Sequence, residues 1–151
     1  MAENRISRRA NAVGRTKIRM MYELEAQYGD VISFTVGEPD FPTPDNIVRA
    51  CKASLDAHQT FYAPNQGVYA LREAVARRVR QTHGVRYTPE EILITAGGMD
   101  ALRMAAEALI DPGDEVLIPN PYWANHYHHP LLELGVPVLV PVAEKCNFMY
   151  D

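Results

Sequence analysis

A chain of 151 residues, 47% hydrophobic, with a net charge of −4, has the material for one domain with a real core. The mildly acidic balance argues against nucleic acid as the main partner, and no apolar run approaches the ~20 residues needed to span a bilayer. Cys51 and Cys146 stand without metal or redox spacing, so they read as ordinary thiols in a reducing compartment, and the cytoplasm is the expected location.

The first twenty residues are locally basic, with Arg5, Arg8, Arg9, Arg15, Lys17 and Arg19 against Glu3. Asn4, Asn11 and Gly14 break any amphipathic face, which favours a solvated arm over a transit peptide. The periodicity then predicts a helix over 15–28, with Ile18, Met21, Tyr22 and Glu25 in step and Gly29 as its stop. A strand is predicted over 31–36, followed by loop chemistry in "GEPDFPTP" at 37–44. Thr43 is placed to cap a helix with Pro44 at its first position. On that helix Ile47, Ala50, Cys51, Ser54, Leu55 and His58 share one face. Leu71, Val75 and Val79 mark a further helix, ended by Gly84. Thr88-Pro89-Glu90-Glu91 is a capping box leading into a strand at 92–95.

The next stretch, "ILITAGGMDALRMAAEALI", changes period in its middle: a strand hands over to a helix at 98–110 through Gly97 and Gly98. Leu102, Ala105, Ala106 and Leu109 form the apolar face of that helix. A turn at 111–114, a strand at 115–118, a helix over about 122–134 stopped by Gly135, and a strand at 137–142 complete the pattern. Alternating strands and helices indicate an α/β unit with a parallel sheet.

Two glycines at a helix start permit two readings, a tight turn or an anion cradle. The first turn of a helix has N–H groups without acceptors and the positive end of the dipole, and phosphate is the usual guest. The spacing matches neither a Walker loop nor the dinucleotide fingerprint. Asp100 suits the dipole but would repel a phosphate, so it is expected to point away.

"FTVGEPDFPTP" (34–44), "FYAPNQGVYALREAVA" (61–76), "TAGGMDAL" (95–102) and "DPGDEVLIPNPYWANH" (111–126) follow one another in order. Together they resemble the N-terminal part of the class I and II aminotransferases, which use pyridoxal 5'-phosphate on the aspartate-aminotransferase fold. The resemblance runs from about Ser7 to the last residue. It implies an α/β fold in which 1–44 form an N-terminal arm and small-domain segment and 45–151 begin the large cofactor domain. It implies amino-group transfer between an amino acid and a 2-oxo acid, in a homodimer.

The resemblance also implies residue roles. Gly97, Gly98 and Met99 would cradle the cofactor phosphate, Met99 through its backbone N–H. Trp123 would lie on the cofactor ring and border the substrate. His126 would support the aspartate that pairs with the pyridine nitrogen. Gly37 would approach the substrate carboxylate, while Glu38 and Asp40 read as turn formers. Tyr62 would reach across the dimer to the neighbouring subunit's phosphate. The cluster His126, His128 and His129 raises a metal site, but no Cys or carboxylate stands at ligand spacing, so no metal is expected.

The family's cofactor lysine follows a serine by three residues. The three lysines here, Lys17, Lys52 and Lys145, have no such context. The chain therefore reads as the N-terminal portion of a longer enzyme, with no catalytic residue of its own. Alone it is expected to be inactive, poorly soluble or incompletely folded. Other reactions on the same fold, a β-lyase or a cyclopropane-forming synthase, stay open, as does a remnant that only dimerises.

Overall fold

The structure is a computed structural model that describes residues 5–14 and 17–149. Its chain divides into two units, one made of 38–98 and the other of 1–37 with 99–151.

The 38–98 unit contains α3 (Asp45–Asp56) and α4 (Tyr69–His83), here numbered after two helices of the other unit. Helix α3 starts one residue later than the sequence pattern suggests. Pro44 is the cap rather than the first helical residue, and Thr43 makes no capping bond. The Pro44 carbonyl accepts Ile47 N–H at 2.9 Å, so the imide that lacks a donor sits where none is required. Helix α4 stops at Gly84, whose φ of +72° is the left-handed turn that glycine supplies without a Cβ clash. Thr88 and Glu91 form the expected capping box, around a short 3-10 turn at Pro89–Glu91. Residues 92–95 are not a sheet strand. Their backbone N–H groups reach Pro89 O from Ile92 at 3.3 Å and Gln66 O from Ile94 at 3.0 Å, because no neighbouring strand among the described residues is there to continue a ladder.

The other unit holds α1 (Arg8–Ala12), α2 (Lys17–Glu25), α5 (Gly98–Leu109), β1 (Glu115–Asn120), α6 (Ala124–Leu132) and β2 (Val136–Pro141). The basic arm is thus partly helical: Ser7 Oγ accepts Ala10 N–H at 3.2 Å and caps α1. Of the helix predicted over 15–28, residues 15 and 16 lie outside the described residues. The described part ends at Glu25, short of Gly29. The strand predicted over 31–36 is absent. Ser33 and Thr35 instead give their hydroxyls to Glu25 Oε2 at 2.8 and 2.9 Å, and Phe34 is 94% exposed. Side-chain bonds to α2 take the place of a ladder.

β1 and β2 pair in parallel with Ile118 opposite Leu139 and are joined through α6, the crossover that a parallel pair requires. Ile118, 2% exposed, is the centre of this unit's core, a burial worth roughly 1.5–3 kcal/mol. Gly135 admits no larger residue: an added Cβ would lie 2.8 Å from Ile110 Cγ2. The apolar faces expected on α3 and α5 are mostly open, with Leu55 and Leu109 exposed.

Candidate functional site

The turn into α5 is built from backbone. Gly97 has φ +123°, a conformation that side-chain-bearing residues avoid, and its carbonyl accepts the Thr95 hydroxyl at 2.9 Å. Gly98 opens the helix. An added Cβ at Gly97 or Gly98 meets no atom within 4 Å, so the space before the helix terminus is open among the described residues. The N–H groups of Gly98 and Met99 belong to the first turn, where the helix itself offers no acceptor.

Asp100 points along the helix, as the sequence suggests. Its Oδ1 accepts Arg103 Nε and Nη2, each at 3.3 Å, while Arg103 Nη1 reaches Glu107 at 2.7 Å. Hydrogen bonds to these two carboxylates hold the guanidinium above its ordinary proton affinity.

Met99 uses its side chain within the chain: Asn125 Nδ2 donates to Met99 Sδ at 3.2 Å. That contact joins the start of α5 to the first turn of α6. Trp123 is the N-cap residue of α6, and its extended backbone (φ −78°, ψ 128°) projects it from the helix start with 42% of its surface exposed. His126 N–H bonds Trp123 O at 2.9 Å, and the two rings meet edge to face with centroids 5.3 Å apart. Trp123, Asn125, His126 and Met99 are therefore brought together within one unit. Gly37 has open space around it, and Tyr62 is fully exposed.

His129 lies one turn after His126 on α6. Both its ring nitrogens are buried without a hydrogen-bond partner. Burial lowers its proton affinity below the ordinary imidazole value, and His126, His128 and Arg103 add repulsion. Among the described residues no group of three or more His, Cys, Asp or Glu could hold a metal ion.

The sequence profile of aminotransferase class I and II matches residues 29–151. The chain belongs to that family. An aspartate aminotransferase of Pyrococcus horikoshii is 39% identical to this family member over 146 residues, covering 97% of the chain and 37% of that protein. A probable aspartate/prephenate aminotransferase of Aquifex aeolicus is 44% identical, over 83% of the chain and 32% of that protein. The aspartate aminotransferase of Thermus thermophilus, solved with maleate, superimposes with a TM-score of 0.91 at 36% identity, covering 99% of the chain and 40% of that structure. The chain spans about a third of the length of the relatives it matches. Its mixed helical and parallel-sheet architecture is that of the aspartate-aminotransferase fold. No helix among the described residues is long and apolar enough to cross a membrane.

Two residues escaped the sequence reading. Asn125 lies inside "PYWANH", but nothing in the spacing indicates a bond to a methionine 26 residues away. Arg72 served only as a motif marker, yet it is 8% exposed, the one buried charged residue among those described.

Proposed function

We propose that the protein carrying this sequence is an aminotransferase that moves an amino group between an amino acid and a 2-oxo acid with pyridoxal 5'-phosphate. The observation that carries this reading is the Asn125–Met99 bond, which puts the first turns of α5 and α6 side by side. Open backbone donors at Gly98 and Met99 suit a phosphate dianion, and the clear space at Gly97 and Gly98 leaves it room. When bound, the cofactor supplies the electron sink and amino carrier.

This chain's own residues bind and orient. Gly97 shapes the turn, and Gly98 and Met99 donate to the phosphate. Trp123 presents a flat face to the ring, and His126 supports the group that pairs with the ring nitrogen. Gly37 meets the substrate carboxylate. Tyr62 donates from one subunit to the phosphate of the other, so the functional form is a homodimer. Residues 1–44 serve as arm and small-domain segment, and 45–151 begin the cofactor domain. A cytoplasmic setting follows from reading Cys51 and Cys146 as thiols of a reducing compartment.

The test is a pair of half-reactions on the intact protein loaded with pyridoxal 5'-phosphate. An amino acid should change the bound cofactor's absorbance, and a 2-oxo acid should reverse it. Aspartate is the first donor to try, because the relatives' names carry it; alanine and aromatic amino acids follow. Irreversible loss of the donor's side chain instead of reversal would assign a lyase.

A further inference from the structure

Arg72 is a buried cation without a carboxylate partner among the described residues. Its charge is met by three neutral oxygens: Pro89 O at 2.7 Å, Gln66 Oε1 at 3.2 Å and Gly67 O at 3.3 Å. The Tyr69 ring lies 5.4 Å from the guanidinium carbon. Desolvating a charge for neutral acceptors is costly unless the planar fork is needed to hold several groups in fixed directions. The groups held here come from three separate stretches: helix α4, the Gln66–Gly67 turn and the Pro89 turn.

The Gln66–Gly67 turn is in its turn locked to the segment that precedes the glycine pair. Gln66 O accepts Ile94 N–H at 3.0 Å. Gly67, at φ +94°, lies so close to Ile94 that an added Cβ would stand 2.6 Å from that side chain. Three residues after Ile94 comes Gly97, tied back by the Thr95 hydroxyl. On its other side the turn leads back, through the Gly67 N–H to Pro64 O bond at 2.7 Å, to Tyr62.

We infer that Arg72 is a positioning residue for the cofactor phosphate. It fixes the Gln66–Gly67 turn, which aims both the Gly97–Gly98 donors and the loop that carries Tyr62. This rests on reading Gly97 and Gly98 as the phosphate cradle. Arg72 touches neither cofactor nor substrate; it acts through Gln66, Gly67 and Ile94. Because the lever moves phosphate donors alone, its loss weakens binding of the phosphorylated cofactor and spares its phosphate-free form.

The experiment compares dissociation constants of pyridoxal 5'-phosphate and pyridoxal, read by absorbance, in the intact protein and two variants. Arg72→Lys keeps the charge and loses the fork, and it should lower pyridoxal 5'-phosphate affinity by about tenfold, while pyridoxal affinity moves by less than about twofold. Gln66→Leu leaves the guanidinium in place and removes one exposed acceptor, so it reads the clamp even where Arg72→Lys does not fold. It should lower pyridoxal 5'-phosphate affinity by roughly threefold with the same selectivity. A folded variant that keeps the wild-type ratio of the two affinities, or loses both equally, overturns the inference. A wild-type protein that binds both compounds equally overturns the cradle reading itself, and this inference with it.

Discussion

Asn125 donates its side-chain amide to the thioether of Met99 at 3.2 Å, tying the first turn of α6 to the first turn of α5. A thioether is a weak acceptor, so the bond contributes little energy. Its value is directional. The Met99 backbone N–H is a separate group, left for a ligand because the first helical turn offers it no acceptor.

Gly98→Ala separates the two demands on that helix start. No atom stands within 4 Å of the new Cβ, so the cofactor-free protein should keep its stability. The methyl group intrudes on the phosphate instead, and pyridoxal 5'-phosphate affinity should fall by about tenfold or more. Met99→Leu should leave that affinity within about twofold, because only the side chain changes. Thermal melts without cofactor and titrations with it measure both. A Gly98→Ala protein that retains cofactor normally contradicts the phosphate role.

How much of this was legible in the sequence follows from the range of each interaction. The turn at Gly97-Gly98, the stop at Gly84 and the box at Thr88–Glu91 depend on neighbours a few residues away, and local chemistry announces them. The stretches at 31–36 and 92–95 have strand composition, but a strand exists only beside another, and the described chain gives them Glu25 and Gln66 as partners instead. Arg72 and Asn125 act over 17 and 26 residues of separation, which no periodicity encodes.

Trp123 caps α6 with 42% of its surface exposed and meets His126 edge to face. Trp123→Ala in the intact enzyme should lower kcat/KM by about tenfold to several hundredfold, corresponding to one to a few kcal/mol of lost positioning. Cofactor should still be retained, since the phosphate donors are untouched. Steady-state kinetics decide the matter; an unchanged kcat/KM would make the residue mere packing.

His129 carries a pH signature. Burial lowers its proton affinity in the folded state, while the unfolded chain protonates near the usual value of 6.5. Between those two points the unfolded state binds more protons, so stability falls as pH drops through about 6.5 and levels off once folded His129 also protonates. Denaturant midpoints of the intact protein at about pH 7.5 and about pH 5.5 should therefore differ less in His129→Gln than in wild type. Equal pH dependence in His129→Gln and wild type would mean another group drives it.

Tyr62 tests the composite site. It is fully exposed in the single chain and sits two residues before the Pro64–Gly67 turn, so its loop has a fixed root and a free ring. If its hydroxyl donates to the partner subunit's cofactor phosphate, Tyr62→Phe weakens cofactor retention by roughly 1.5–3 kcal/mol, the range for a hydrogen bond to a charged group. The dimer should survive, because only a hydroxyl is lost and the ring still covers the interface. Subunit mixing sharpens the test. A Tyr62→Phe subunit is paired with one disabled at the cofactor lysine that the family uses. The single lysine-bearing site of that heterodimer then receives its tyrosine from the disabled partner, and it should bind cofactor nearly as wild type does. Were the tyrosine to serve its own subunit, that same site would hold only phenylalanine. A heterodimer no better than the Tyr62→Phe homodimer places the hydroxyl within one chain and removes the argument for a shared site.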